Sequence, residues 1–233
     1  MSTRALILCA GLGTRLGKIA ISKPKPLIDV QGVPCVVHQL RKLESLGVKE
    51  VVINTHKNHE QFESALHKLN LGLSVTLSNE PRLLGTLGTL RKHLDFLARD
   101  NFWVLHGDNV FTDDLRTLSS SASRFSGEIV GALGIFRTIR FPEVGIIKTS
   151  SQDLVTFMYE KSRIPHGFWA NSATFLLHPR IKRVIGSLRE HKTDISGDLI
   201  PQLYGRLISV QLKGKFIDIG TPKNLSRARK IKM

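Results

Sequence analysis

The alternation of short apolar runs with amphipathic stretches restricts this chain to one broad class of fold. The runs "RALILCAG", "KEVVINTH", "LSVTLSN" and "NFWVLHGD" read as successive strands. Between the first two, Val33, Val36, Val37, Leu40 and Leu43 recur at helical spacing, and Gly47 stands where such a helix would be capped. "HEQFESALHKL" predicts a second helix and the stretch from Thr86 to Ala98 a third. Strands that alternate with helices of this length imply right-handed βαβ units, hence an α/β fold with a mostly parallel sheet covered by helices on both faces.

After about residue 128 the rhythm changes. "EIVGALGIFRT", "GIIKTS" and "LVTFMYEK" follow in quick succession and predict hairpins or a small mixed sheet. "ANSATFLLHP" adds a strand, helices are expected near 179–190 and 197–205, and "LISVQL" with "GKFIDIG" reads as a late hairpin before a closing helix. No repeat or linker divides the chain. The expectation is one domain over 1–233, with a nucleotide-binding half (1–127) and a substrate half with the closing helix (128–233).

The composition narrows the partners. Apolar residues make up 41% of the 233, yet no uninterrupted apolar run approaches the ~20 residues of a membrane span. No leader pattern opens the chain, and the two cysteines, Cys9 and Cys35, show no ligand or disulfide spacing, so a cytoplasmic protein is expected. A net charge of +15 points to an anionic partner. Nucleic acid is disfavoured, because the basic residues are dispersed and aromatics make up only 6%. The one basic cluster, "SRARKIKM", reads as a solvated helix end.

The stretch "LILCAGLGTRLGKIAISKPKPL" carries the chemistry. It is not a P-loop, since five residues separate Gly11 from Gly17 and Ile19 follows Lys18. It is not a dinucleotide loop either, because Leu16 stands where the third glycine belongs. What remains is a strand, a glycine turn and a stiffened basic segment. Gly11 and Gly13 let the backbone approach an anion, Arg15 offers a planar donor fork, and Pro24 and Pro26 hold Lys25 in a restricted backbone.

On these residues the chain resembles the sugar-1-phosphate nucleotidylyltransferases. The family's Gly-x-Gly-Thr-Arg-Leu and Pro-Lys-Pro-Leu stand here as "GLGTRL" and "PKPL", and "NEPRLLGTLGTL", "HGDNVF", "YEK" and "FIDIGTP" follow in family order. The resemblance implies a Rossmann-like domain with a late sugar-binding portion, Mg²⁺ as cofactor, and transfer of a nucleotidyl group from an NTP to a sugar 1-phosphate with loss of pyrophosphate. The short form and the "FIDIGTP" ending look most like mannose or manno-heptose 1-phosphate guanylyltransferases, which favours GTP.

Residue by residue, the resemblance places Leu8, Ala10 and Asp108 at the nucleotide and Gly11, Gly13, Thr14, Arg15 and Lys25 around its triphosphate. Arg15 faces the leaving pyrophosphate and Lys25 the α-phosphate. Glu80, Gly85 and Thr86 fall in the base-reading loop. Gly145, Glu160, Lys161 and Asn171 are assigned to the sugar phosphate, with Ala173 standing where the family usually has glycine. Asp108 and Asp218 are assigned to the metal, and Arg15, Lys25 and Asp108 to catalysis. His106 would orient the turn beside Asp108 or lie against the base. UTP, dTTP or CTP, an alcohol phosphate acceptor, a non-catalytic nucleotide-sugar-binding regulator and a homo-oligomer all stay open at this point.

Overall fold

The computed structural model describes residues 3–11, 13, 16–17, 22–67 and 69–231. In chain order its strands and helices are β1 (Arg4–Leu8), β2 (Asp29–Val30), β3 (Val33–Pro34), α1 (Cys35–Ser45), β4 (Glu50–Thr55), α2 (His59–His67), β5 (Ser74–Asn79), α3 (Gly85–Leu97) and β6 (Phe102–His106). There follow β7 (Asn109–Phe111), α4 (Arg116–Ser120), β8 (Gly131–Arg137), β9 (Ile146–Thr149), β10 (Val155–Tyr159) and β11 (Trp169–Leu177). The chain closes with α5 (Ile181–Ser187), β12 (Leu207–Gln211), β13 (Phe216–Asp218) and α6 (Pro222–Ala228).

These elements form two compact units, and the chain passes between them more than once. The first comprises Thr3–Leu83, Leu105–Asp114 and Gly214–Met233. Here β1 pairs in parallel with β4, and β4 with β5. The central strands are apolar on both faces because both faces are covered: Ala5, Leu6, Ile7 and Ile53 are fully buried. A separate antiparallel pair, β7 with β13, is backed by a cluster that includes Ile28, Val30, Val110, Ile217, Ile219 and Leu225. Each such side chain taken from water contributes roughly 1.5–3 kcal/mol, which holds the pair in place without a larger sheet around it.

The second unit comprises Leu84–Val104 and Leu115–Lys213. Its strands are mixed: β12 runs parallel to β8, whereas β8 with β11, β11 with β9 and β9 with β10 are antiparallel.

Three expectations about elements need correction. The first helix starts at Cys35 rather than at Val33, because Pro34 is extended (φ −55°, ψ 141°) and Val33 before it belongs to β3. The late hairpin does not form: β12 pairs with β8 and β13 with β7, so the two strands belong to different units. The helix expected over 197–205 is a π-type turn, Ile195–Leu199, followed by a 3₁₀ turn, Ile200–Leu203, where Pro201 removes a backbone donor.

Candidate active site

In the first unit the site grows from the end of β1. Leu8 is buried, and Ala10 and Gly11 lead into the glycine turn. Gly13 has φ of 68°, a backbone that glycine adopts without a Cβ clash. Thr14 and Arg15 lie outside the described residues. Lys25 opens a 3₁₀ turn, Lys25–Leu27, and is only 8% exposed. Its ammonium donates to Asp108 Oδ2 at 2.9 Å and stands 3.9 Å from Asp218 Oδ1. Three charged groups far apart in sequence therefore meet at one nitrogen.

Backbone geometry explains the meeting. β6 ends at His106, and the chain turns through Gly107 and Asp108 into β7. A Cβ on Gly107 would collide with Cys9 Sγ and come within 3.3 Å of Ile7 and Pro26, so the turn can cross the end of β1 only with glycine there. β13 then lies beside β7 in a register that opposes Asp218 to Asn109, and Ile219 N–H donates to the Asp108 carbonyl at 3.1 Å. Asp218 Oδ1 also accepts from Gly220 N–H at 2.7 Å.

The electrostatics follow from this packing. Burial pushes the Asp108 carboxyl up, but the Lys25 ammonium, His106 and the hydrogen bonds from Lys25 and the backbone outweigh it and hold it below the usual range. The same burial raises the Cys9 and Cys35 thiols, and the nearby Asp108 charge raises both further. Neither thiol is a nucleophile at neutral pH.

The donor set suits a hard cation. Among the described residues no group of three or more His, Cys, Asp or Glu could hold a metal. Two carboxylates completed by substrate oxygens and water match magnesium, whereas zinc takes three or four nitrogen or sulfur ligands.

Glu80 is turned inward. It is 1% exposed, and its Oε1 accepts from Asn54 Nδ2 at 3.1 Å. Asn54 Oδ1 in turn accepts from Cys9 N–H at 2.7 Å, so the pair braces the chain just before the glycine turn. Asn54 is not among the residues that the sequence singles out. Its signal was a polar residue at the end of the apolar run "VVINTH".

In the second unit, Gly85 and Thr86 open α3 against the segment 193–195. Gly85 has φ of 75°, and a Cβ there would stand 2.5 Å from the Thr193 carbonyl. Thr86 Oγ1 donates to Asp194 Oδ2 at 3.1 Å and accepts from Ile195 N–H at 2.8 Å. Beside the same segment, Ser196 Oγ accepts from Asn171 Nδ2 at 3.4 Å. One turn thus joins the residues expected at the base to one expected at the sugar. Asp194 and Ser196 were not anticipated, although the polar "TDISGD" marks a capping segment.

Gly145, Glu160, Lys161 and Asn171 come together around β9, β10 and β11. Asn171 N–H donates to the Gly145 carbonyl at 2.9 Å, and Lys161 Nζ pairs with Glu160 Oε1 at 3.3 Å. A Cβ on Gly145 would lie 2.8 Å from Glu160 Oε2, so this glycine makes room for the carboxylate. Ala173 keeps the left-handed backbone of a glycine, with φ of 51°, and its N–H donates to Asn171 Oδ1 at 2.7 Å.

The sequence profile of the family described as Nucleotidyl transferase matches residues 4–232. A protein of Oryza sativa subsp. japonica named for mannose-1-phosphate guanylyl transfer is 30% identical over 229 residues, which is 95% of this chain and 62% of its own length. The mannose-1-phosphate guanyltransferase of Saccharomyces cerevisiae is 28% identical with the same coverage. The chain therefore spans 62% of the length of these curated relatives. Among solved structures, a Bacillus anthracis protein named for glucose-1-phosphate thymidylyl transfer superposes with a TM-score of 0.87 at 23% identity, covering 99% of this chain and 96% of its own. HddC from Yersinia pseudotuberculosis, solved with GMP-PN, gives 0.81 at 24% identity and 98% coverage of each chain. At these identities the likeness shows the α/β fold.

Proposed function

Since the chain belongs to the nucleotidyl transferase family, we propose that it condenses an NTP with a sugar 1-phosphate to give a nucleotide sugar and pyrophosphate. The observation that carries this reading is the convergence of Lys25, Asp108 and Asp218. A phosphate oxygen of the sugar 1-phosphate forms the new bond to the α-phosphorus, and the bond to the β-phosphate oxygen breaks. The attacking phosphate has a second pKa near ~6, so it is largely dianionic at neutral pH and needs no general base. Catalysis then consists of aligning two anions and offsetting their repulsion.

In this reading the turn of Ala10, Gly11, Gly13 and Thr14 holds the triphosphate beside Leu8. Arg15 faces the departing pyrophosphate, and Lys25 serves the α-phosphate. Asp108 and Asp218 would hold Mg²⁺, which supplies Lewis-acid neutralisation of phosphate charge when bound. Gly85 and Thr86 border the base, with Glu80 bracing behind the glycine turn. Glu160, Lys161 and Asn171 receive the sugar phosphate, with Gly145 leaving space for Glu160.

GTP and a mannose or manno-heptose type of sugar phosphate are the preferred pair, supported by the names of the guanylyltransferase relatives and by the GMP-PN bound to HddC. No helix among the described residues is long and apolar enough to cross a membrane, and a cytoplasmic enzyme is part of the reading. The test is a panel of four NTPs against several sugar 1-phosphates with Mg²⁺, scored by pyrophosphate release. GTP with mannose 1-phosphate or a manno-heptose 1-phosphate should lead. NTP binding without turnover anywhere in the panel would leave a nucleotide-binding protein rather than an enzyme.

A further inference from the structure

One polar side chain inside the first unit has no role in the scheme above. Gln39 lies on α1 and is 1% exposed. Its Nε2 donates to the His106 carbonyl at 2.6 Å and to the Asn109 carbonyl at 2.8 Å. These are the two ends of the turn whose inner residues are Gly107 and Asp108. Both partners are pure acceptors, so the amide must present its NH₂ to them. The price of that orientation is visible: Gln39 Oε1 is buried with no hydrogen-bond partner among the described residues. A buried orphan acceptor is costly, and a glutamine kept only to fill space would turn its oxygen toward a donor.

The neighbouring positions on the same helical face act in the same direction. Cys35, one turn before, approaches the Asn109 carbonyl with its Sγ at 3.7 Å. Lys42, one turn after, donates to the Asp113 carbonyl at 2.9 Å. Spacings of four and three residues put all three on one stripe facing the segment 106–113. The other side of that segment is held by β13, through Ile219 N–H on the Asp108 carbonyl. Gln39 is the member of the stripe that grips both sides of Asp108.

We propose that Gln39 is a positioning residue for the Asp108 carboxylate, stapling the turn that aims this group at the cation and the phosphates. It rests on the reading of Asp108 and Asp218 as the cation site. Through the pairing of β7 with β13, the same staple also sets where Asp218 stands.

The test uses the full chain with Mn²⁺ and GTP as probes. Gln39→Met keeps the length of the side chain and removes both donors. Mn²⁺ binding in the presence of GTP, read by electron paramagnetic resonance of the free ion, should weaken by about 10–100-fold. The kcat should fall in similar proportion, with KM for the sugar phosphate within about twofold of wild type. In an Asp108→Asn background, Gln39→Met should add no more than about twofold to either loss, because the group it positions is gone. Should Gln39→Met not fold, Gln39→Asn retains an amide that is one methylene too short to reach both carbonyls, and the same loss is expected. A folded variant with wild-type Mn²⁺ binding and kcat overturns the inference, as does a full additive loss on top of Asp108→Asn. If Asp108→Asn alone binds Mn²⁺ as the wild type does, the cation-site reading itself falls.

Discussion

Lys25 has two demands on one ammonium group. Its contacts with Asp108 at 2.9 Å and Asp218 at 3.9 Å place it where a divalent cation would neutralise the same two carboxylates. In the proposed reaction it serves the α-phosphate instead, so cation and ammonium compete for the aspartates. Lys25→Met should then bind Mn²⁺ more tightly than wild type when no nucleotide is present, while turnover falls roughly a hundredfold through loss of an oriented donor. Weaker Mn²⁺ binding in the variant would show that Lys25 helps to organise the site rather than competing for it. Ala173 offers a second residue-scale test. An L-residue in the left-handed region costs about 1–2 kcal/mol, and glycine returns roughly 0.4–1 kcal/mol of that as unfolded-state entropy. Ala173→Gly should therefore stabilise the protein by up to about 1.5 kcal/mol in urea denaturation. Site candidates are legible in the sequence where the local pattern restricts the choice, as with Lys25 between two prolines or Asp108 just after the strand "NFWVLHG", and their roles come from the family resemblance. Asn54, Gln39, Asp194 and Ser196 are not legible, because a lone amide or hydroxyl declares its partner only when the chain is folded.

At the scale of elements, strands and helices were legible where burial on both faces writes them into the composition. The runs now seen as β1, β4 and β6 are nearly continuous apolar sequence, and α1 carries its buried residues at helical spacing. What could not be read was pairing. β7 is three residues long and β13 also three, and each is a strand only because the other lies beside it. The late hairpin was expected because "LISVQL" and "GKFIDIG" are close in sequence, but strand pairing is settled by which apolar faces are left uncovered. The start of α3 allows a test at this scale. Thr86 ties the first turn of that helix to the segment 193–195 through two hydrogen bonds, one of them to a carboxylate. Thr86→Val keeps the shape, strands the Ile195 N–H, and should cost about 1–3 kcal/mol in chemical denaturation. Gly85→Ala should cost at least as much, because φ of 75° and the Thr193 carbonyl both oppose a Cβ. If Thr86→Val is as stable as wild type, the segment 193–195 is not anchored through this hydroxyl.

The whole molecule carries a net charge of +15, so acid adds positive charge to a chain that already repels itself. That background acts on wild type and variants alike, and the Asp108–Lys25 pair rides on it. Asp108 has a folded pKa below the ordinary carboxylate value, with burial pushing it up and Lys25 prevailing. The unfolded chain, with a pKa near ~3.9, then takes up the proton first. Stability from this group is present above about pH 4 and is lost as pH falls from there through the lower folded value. Asp108→Asn removes the carboxylate and leaves Lys25 with Asp218 at 3.9 Å. Breaking a fully buried pair costs about 3–5 kcal/mol, and because the Asp108 side chain is 24% exposed a smaller loss, about 2 kcal/mol, is expected at neutral pH. Urea denaturation of both proteins across the acid range should show a constant gap from about pH 7 to 5 that closes below about pH 4, where protonated Asp108 resembles asparagine. A gap that widens as pH falls from 7 toward 5 would mean that the folded pKa is raised, with burial prevailing over Lys25. Asp108 would then be less fully charged near neutral pH, and a divalent cation would gain less from it.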